Sequence, residues 1–237
     1  MSLHHFQSYT RQRISELYFR FHHARKIFAK RFFSLAVQGH VELSDNFLFD
    51  ETKAINRGKA APNGKYYSKH YPIEWDELPT EIKQLIKNYD TILKQFLGDD
   101  YRINGAQIWR NTAIPDKYKN TELFSQNWHY DKVMDYRNIQ LFILLHEVTE
   151  KDGPFEYVTE PDEYNLIPEV AKRSEQNLNV GIKKLLGKRG DTFLFTTGST
   201  PHRAGIPEKN RHRDIFSIAF FPEYTSIGEK STELLAK

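Results

Sequence analysis

His129 and Asp131 stand two residues apart in Trp128-His129-Tyr130-Asp131. On a β-strand that spacing turns an imidazole and a carboxylate to the same face, because side chains alternate with a period of 2. A second histidine would complete the set of two imidazoles and one carboxylate that occupies one face of a non-haem iron(II) and leaves its other positions open. His202, in Ser199-Thr200-Pro201-His202-Arg203-Ala204-Gly205, is the candidate for that ligand. His129, Asp131 and His202 are therefore the candidate catalytic and metal-ligating residues. The His-x-carboxylate pattern carries little weight alone, since His40-Val41-Glu42 also matches it in a chain with 10 histidines.

A second candidate follows His202: Arg213 stands at the entrance to a final apolar strand. A metal site that used 2-oxoglutarate would have to hold a dianion, one end at the metal and the far carboxylate buried. Arginine suits that burial because its planar fork makes two parallel charge-assisted hydrogen bonds and stays protonated. Arg211 is the alternative, since strand alternation would put it on the face of Arg213. Gln107, Trp109 and Asn111 share one face of another strand, and Gln107 and Trp109 are the candidate pocket residues for the cosubstrate.

These residues need elements to carry them. From Tyr9 to Val37 the apolar residues recur every three or four positions, which predicts a basic amphipathic helix ended by Gly39. Ser44 to Asp50 reads as a short extended segment. Glu51 to Pro72, with Asn56-Arg57-Gly58 and Ala61-Pro62-Asn63-Gly64, reads as a long loop suited to a lid. Pro72 to Gly98 reads as mainly helical, with Thr80 as N-cap and Gly98 as the stop. Strands follow at Ala106–Thr112, Ile139–Val148, Phe155–Thr159, Thr192–Thr196 and Asp214–Phe221, with a polar, partly helical insertion through Leu186 and a peripheral tail from Pro222. Helices first and strands afterwards describe a mainly β domain with a helical N-terminal layer. One domain spans 1–237, divided into a helical layer and loop over 1–98 and a β core over 101–222.

Trp128-His129-Tyr130-Asp131, then Leu145-His146-Glu147-Val148-Thr149-Glu150-Lys151-Asp152-Gly153-Pro154-Phe155, then Gly190-Asp191-Thr192-Phe193-Leu194-Phe195, His202 and Arg213 together resemble the phytanoyl-CoA dioxygenase family of iron(II)- and 2-oxoglutarate-dependent oxygenases. The resemblance spans roughly Tyr101 to Pro222. It implies a double-stranded β-helix, the cupin-like jelly roll, with His129, Asp131 and His202 on iron and Arg213 on the distal carboxylate of 2-oxoglutarate. It also implies a dioxygenase reaction: O2 and 2-oxoglutarate are consumed, succinate and CO2 released, and a small molecule hydroxylated, desaturated or cyclised. Two positions depart from the family pattern. Thr159-Glu160-Pro161-Asp162 replaces the usual Pro-Gly-Ser-His turn, and Ala204 replaces a small polar residue after the distal histidine. Trp128 is expected to pack or support the site, and His146 to be a hydrogen-bonded structural residue.

Composition narrows the alternatives. Hydrophobic residues are 39% of the chain, enough for a substantial core, and there is no cysteine, so disulfides and thiolate chemistry are excluded. No stretch is apolar enough to span a membrane and no secretory signal is evident, which predicts a cytoplasmic protein. The net charge of +3 is concentrated at the N-terminus, where residues 1–40 hold seven Lys or Arg against one acid. Nucleic acid is therefore not expected as a partner. A membrane surface is a secondary reading for the basic helix, and the positive residues of the Glu51 to Pro72 loop suggest an anionic small-molecule substrate. Two competing functions remain. One is a metal-dependent isomerase or hydrolase on a cupin-like barrel, which has no need of Arg213. The other is a non-catalytic jelly roll that binds a partner.

Overall fold

The computed structural model describes residues 36–129, 131, 138–158, 181–198 and 200–236. The proposed helix from Tyr9 lies outside them, except for its last residues, and so does most of the insertion before Leu186. Residues 36 and 37 are not helical: they open strand β1 (Ala36–His40), and Gly39 sits inside it. The strand joins a sheet edge, and Gly39 fits because a Cβ there would lie 2.9 Å from Thr192 Oγ1.

The remaining strands are β2 (Ile55–Arg57), β3 (Ser68–Pro72), β4 (Arg102–Thr112), β5 (Ile139–Leu144), β6 (Phe155–Val158), β7 (Ile182–Lys184), β8 (Asp191–Thr196), β9 (His202–Ala204), β10 (His212–Phe221) and β11 (Glu229–Lys230). One antiparallel sheet runs β1-β8-β5-β10-β4-β3-β2, with β11 also on β4, and a second runs β7-β6-β9. A pair of facing antiparallel sheets in this order is a double-stranded β-helix, or jelly roll. The expected fold class is the one observed.

Both faces of the central strands β5, β8 and β10 are covered, which is why Ile139–Leu144 reads as an almost unbroken apolar run. Ile139, Leu141 and Ile143 of β5 join Phe216, Ile218 and Phe220 of β10 in one core with helix α1 (Thr80–Leu97). That helix contributes Ile82, Ile86, Leu93 and Leu97, each at most 1% exposed. On the opposite face Leu144, Phe193, Phe195 and Ile215 meet Phe155 and Tyr157 of the second sheet. Each such side chain contributes about 1.5–3 kcal/mol on full burial, so the two cores hold the inner faces of the sheets at a fixed separation.

Several sequence expectations require correction. Glu51 to Pro72 is not a structureless lid: β2 and β3 form a hairpin, and β3 pairs with β4. The breakers fall mostly in the connection between these strands. Ser44 to Asp50 forms no strand. Thr80 is the first residue of α1 and not its cap, which is Pro79, without a side-chain hydrogen bond. Gly98 does end α1, at φ 101°. β4 starts earlier than expected, at Arg102; its first residues escape a period-2 reading because a bulge shifts the register with β10 between Ser217 and Ala219. Gly105, at φ 66°, lies in that irregularity. The extra residue lets Ile103 and Ile108 face the same core although an odd number separates them. Residues 182–184 are a strand. The tail is integrated, with β11 on β4 and Leu234 of helix α2 (Ser231–Leu235) 2% exposed in the α1 core.

Candidate metal centre

His129 and His202 are brought together by the backbone. His129 N donates to His202 O at 3.0 Å and His202 N donates to His129 O at 2.9 Å, an antiparallel bridge that makes them cross-strand neighbours. The segment through His129 thereby extends the small sheet beyond β9. Asp131, two residues on, is tied by its N–H to Thr197 O at 3.2 Å. Residues 73 positions apart in sequence thus meet because they occupy adjacent extended segments.

The side chains converge. Asp131 Oδ1 lies 3.7 Å from His129 Nε2 and 3.5 Å from His202 Nε2, and the two rings are 4.4 Å apart. The protonated nitrogens are accounted for elsewhere: His129 Nδ1 donates to Asn127 O and His202 Nδ1 donates to Thr200 O, each at 2.8 Å. A neutral imidazole that donates through Nδ1 presents a lone pair at Nε2. With each Nδ1 committed to a carbonyl, both Nε2 atoms and the Asp131 carboxylate face one common point, where a cation, either a proton on an imidazole or a metal ion, relieves the clustering of acceptors. The residues fit a divalent metal.

Protonation agrees. Burial, reinforced by His202, pulls the His129 imidazole below its ordinary value, so it is neutral at pH 7. Burial pushes the Asp131 carboxyl upward, but His202, His129 and Thr197 outweigh it and hold the group at about 2.

A second His/His/Asp group, His146, His212 and Asp214, also has its ligand atoms within 4.8 Å of one another, yet two of its three members are committed elsewhere. His146 Nδ1 donates to Glu147 O at 2.7 Å while its Nε2 accepts from Asp214 N at 3.0 Å. The Asp214 carboxylate is gripped by Arg110 through two bonds of 2.8 and 2.6 Å. His146 is the hydrogen-bonded structural residue expected of it.

One pocket contains His129, Asp131 and His202 together with Arg213, Trp109, Asn111, Gln140, Phe142, Ala204 and Ser217 among its walls. Arg213 is 3% exposed and is aimed by the Gly153 carbonyl, to which Nη1 donates, and by Asn111 Oδ1, which accepts from Nη2 at 2.7 Å. Burial pulls its guanidinium down to about 10, with Asp214 and Glu156 opposing, so it remains charged at neutral pH. Gly153, in the left-handed region at φ 63°, follows a tight turn in which Asp152 accepts from Thr149 N at 2.8 Å. The Thr149-to-Phe155 motif therefore orients the arginine.

Arg211 is different. It precedes β10 and is exposed, 3.7 Å from Asp152 Oδ1, so strand alternation does not apply to it. Trp109 lines the pocket, whereas the Gln107 side chain turns to His70 Nδ1, 2.8 Å from its Oε1, and is not among the pocket walls. His40 is exposed at 2.8 Å from Asp191 Oδ1 and takes no part. Trp128 packs on Val158 beneath the Arg203 guanidinium, 4.7 Å away. Thr159 to Asp162 lies outside the described residues. Sequence reasoning missed Gln140, which donates to Asp131, and the buried His70 stacked on Trp109 at 4.1 Å. Neither belongs to a local pattern.

Fold and site together define a jelly-roll protein with a candidate two-histidine, one-aspartate metal centre. No family model matches the sequence, and no curated protein matches it. Among solved structures it is similar to the non-heme alpha ketoglutarate dependent epimerase SnoN from nogalamycin biosynthesis, at 14% identity and TM-score 0.54, covering 84% of this chain and 81% of that one. It also matches the carbocyclase SnoK from the same biosynthesis, at 13% identity and TM-score 0.46 over 73% and 69% of the two chains. A third match is HygX from Streptomyces hygroscopicus, solved with nickel, 2-oxoglutarate and hygromycin B bound, at 14% identity and TM-score 0.45 over 70% and 74%. The likeness to SnoN is one of fold.

Proposed function

We propose that the chain is a non-haem Fe(II)- and 2-oxoglutarate-dependent dioxygenase that uses O2 to hydroxylate a small organic molecule, releasing succinate and CO2. The observation that carries this reading is a buried, charged Arg213 in the same pocket as three convergent metal-type acceptors. A metal isomerase or hydrolase has no use for such an arginine. A dicarboxylic cosubstrate does, because a buried guanidinium can neutralise the carboxylate that does not reach the metal. The dependence of SnoN on alpha ketoglutarate supports the same assignment at the level of fold.

In this reading His129, Asp131 and His202 hold Fe(II), and the bound metal supplies the redox chemistry linking decarboxylation of the keto acid to oxidation of a C–H bond. The chain's residues bind and orient. Arg213, held by Asn111 and the Gly153 carbonyl, takes the distal carboxylate, and Trp109 walls the cavity beside it. Phe142, Phe155 and Ile215 line it with apolar surface that limits water. We also propose that the chain belongs with the phytanoyl-CoA dioxygenase family, a reading supported by the motifs quoted above. We assign a small-molecule substrate, anionic in line with the positive Glu51 to Pro72 segment, and a cytoplasmic location. Among the described residues no helix is long and apolar enough to cross a membrane.

The test is product formation. Iron-loaded protein given 2-oxoglutarate in air should release succinate and CO2 in equal amounts, slowly without substrate and faster when a screened compound is accepted. Neither product, with iron bound and the protein folded, would refute the assignment.

A further inference from the structure

We propose that Gln140 is a positioning residue that restricts Asp131 to a single metal-facing oxygen, an inference that rests on the reading above. A carboxylate can meet a metal through one oxygen or two. Asp131 presents Oδ1 to both histidine Nε2 atoms, at 3.5 and 3.7 Å, while Oδ2 accepts from Gln140 Nε2 at 3.0 Å. The amide is itself oriented, since its Oε1 accepts from Ser217 Oγ at 3.4 Å. That bond turns the NH2 end, and not the carbonyl, toward the aspartate.

The placement follows from strand chemistry. Gln140 is the polar interruption in the apolar run of β5, between Ile139 and Leu141, which face the α1 core. Alternation sends it to the inner face, beside Ser217 on neighbouring β10. Gln140 is half-buried, where an amide without partners would still lose part of its hydration. Here both ends are bonded, one to a ligand and one to the strand that also carries Arg213. With Oδ2 held, a bound metal would meet Asp131 through Oδ1 alone, and its remaining positions would be left for a keto acid and oxygen. Were Asp131 free to rotate, its second oxygen would compete for one of them.

The experiment uses the full chain loaded with Co(II), with metal coordination read from a crystal structure or X-ray absorption. The 2-oxoglutarate requirement is read separately from the visible absorption of the anaerobic Fe(II) complex. The wild type should bind Co(II) through one Asp131 oxygen, and Gln140→Leu through both. In that variant half-saturating 2-oxoglutarate should rise about tenfold, the equivalent of about 1.4 kcal/mol for a competing carboxylate oxygen, with Co(II) affinity changing much less. Ser217→Ala should move the same readouts in the same direction by less, and it carries the test if Gln140→Leu does not fold. One-oxygen coordination persisting in Gln140→Leu, or parallel loss of Co(II) and 2-oxoglutarate affinity, would overturn the proposal. The predicted change in coordination with no 2-oxoglutarate absorption in any form would leave the Gln140 assignment standing and remove the cosubstrate reading. Failure of the wild type to bind Co(II) at His129 would remove both.

Discussion

Arg213 and Arg211 are two residues apart and differ in every property that matters to an anion. The first is buried and aimed into the pocket by Asn111 and Gly153, and the second is exposed. Arg213→Ala should therefore raise the half-saturating 2-oxoglutarate concentration on the order of a hundredfold, as expected for loss of a buried charged hydrogen bond worth about 2–3 kcal/mol. Arg211→Ala should leave it unchanged, and equilibrium titration of the two variants decides. His146→Ala should keep full metal content but lose about 1–3 kcal/mol in urea unfolding, because the Asp214 N–H loses its acceptor. The sequence exposes the candidate ligands because a two-residue spacing and a downstream histidine form a local pattern that strand geometry explains. It leaves Arg211 open because the start of β10, just after the turn at Asn210, cannot be read from alternation. It conceals Gln140 and His70, whose roles come from neighbours on other strands.

At the scale of elements, strands buried on both faces are legible as apolar runs, and α1 as a 3–4 period closed by a glycine. What escapes is whatever lacks a period. The β2–β3 hairpin has short strands with exposed edge positions separated by turn residues. The bulge at Gly105 breaks the alternation of β4, and the two-residue β11 is too short to carry any pattern. Val37, taken as the far bound of the predicted helix, instead pairs its backbone with Leu194 in the sheet. The integrated tail makes a direct prediction. Leu234→Ala should destabilise the protein by about 2–5 kcal/mol through the cavity left against α1. Thermal unfolding would measure it, and a peripheral tail would give no shift.

At the scale of the whole molecule, His70 links the fold to pH. It is 3% exposed, and burial, aided by the charge of Arg57 and opposed by Gln107, pulls it from 6.5 to about 4. Because the folded-state value is the lower one, the unfolded chain binds the proton first. The stability that depends on neutral His70 is fully present above about pH 6.5 and falls as pH drops toward 4, by on the order of 3 kcal/mol in all. His70→Phe should flatten that portion of the stability–pH curve, as measured by urea unfolding between pH 4 and 7. The central claim, that the jelly roll brings three ligands and an arginine together to hold iron and a keto acid, is tested most directly by anaerobic titration with Fe(II) and 2-oxoglutarate. A weak visible charge-transfer band should saturate at one iron per chain in the wild type and be lost in His129→Ala. Absence of the band in folded wild-type protein, or an undiminished band in His129→Ala, would contradict the claim.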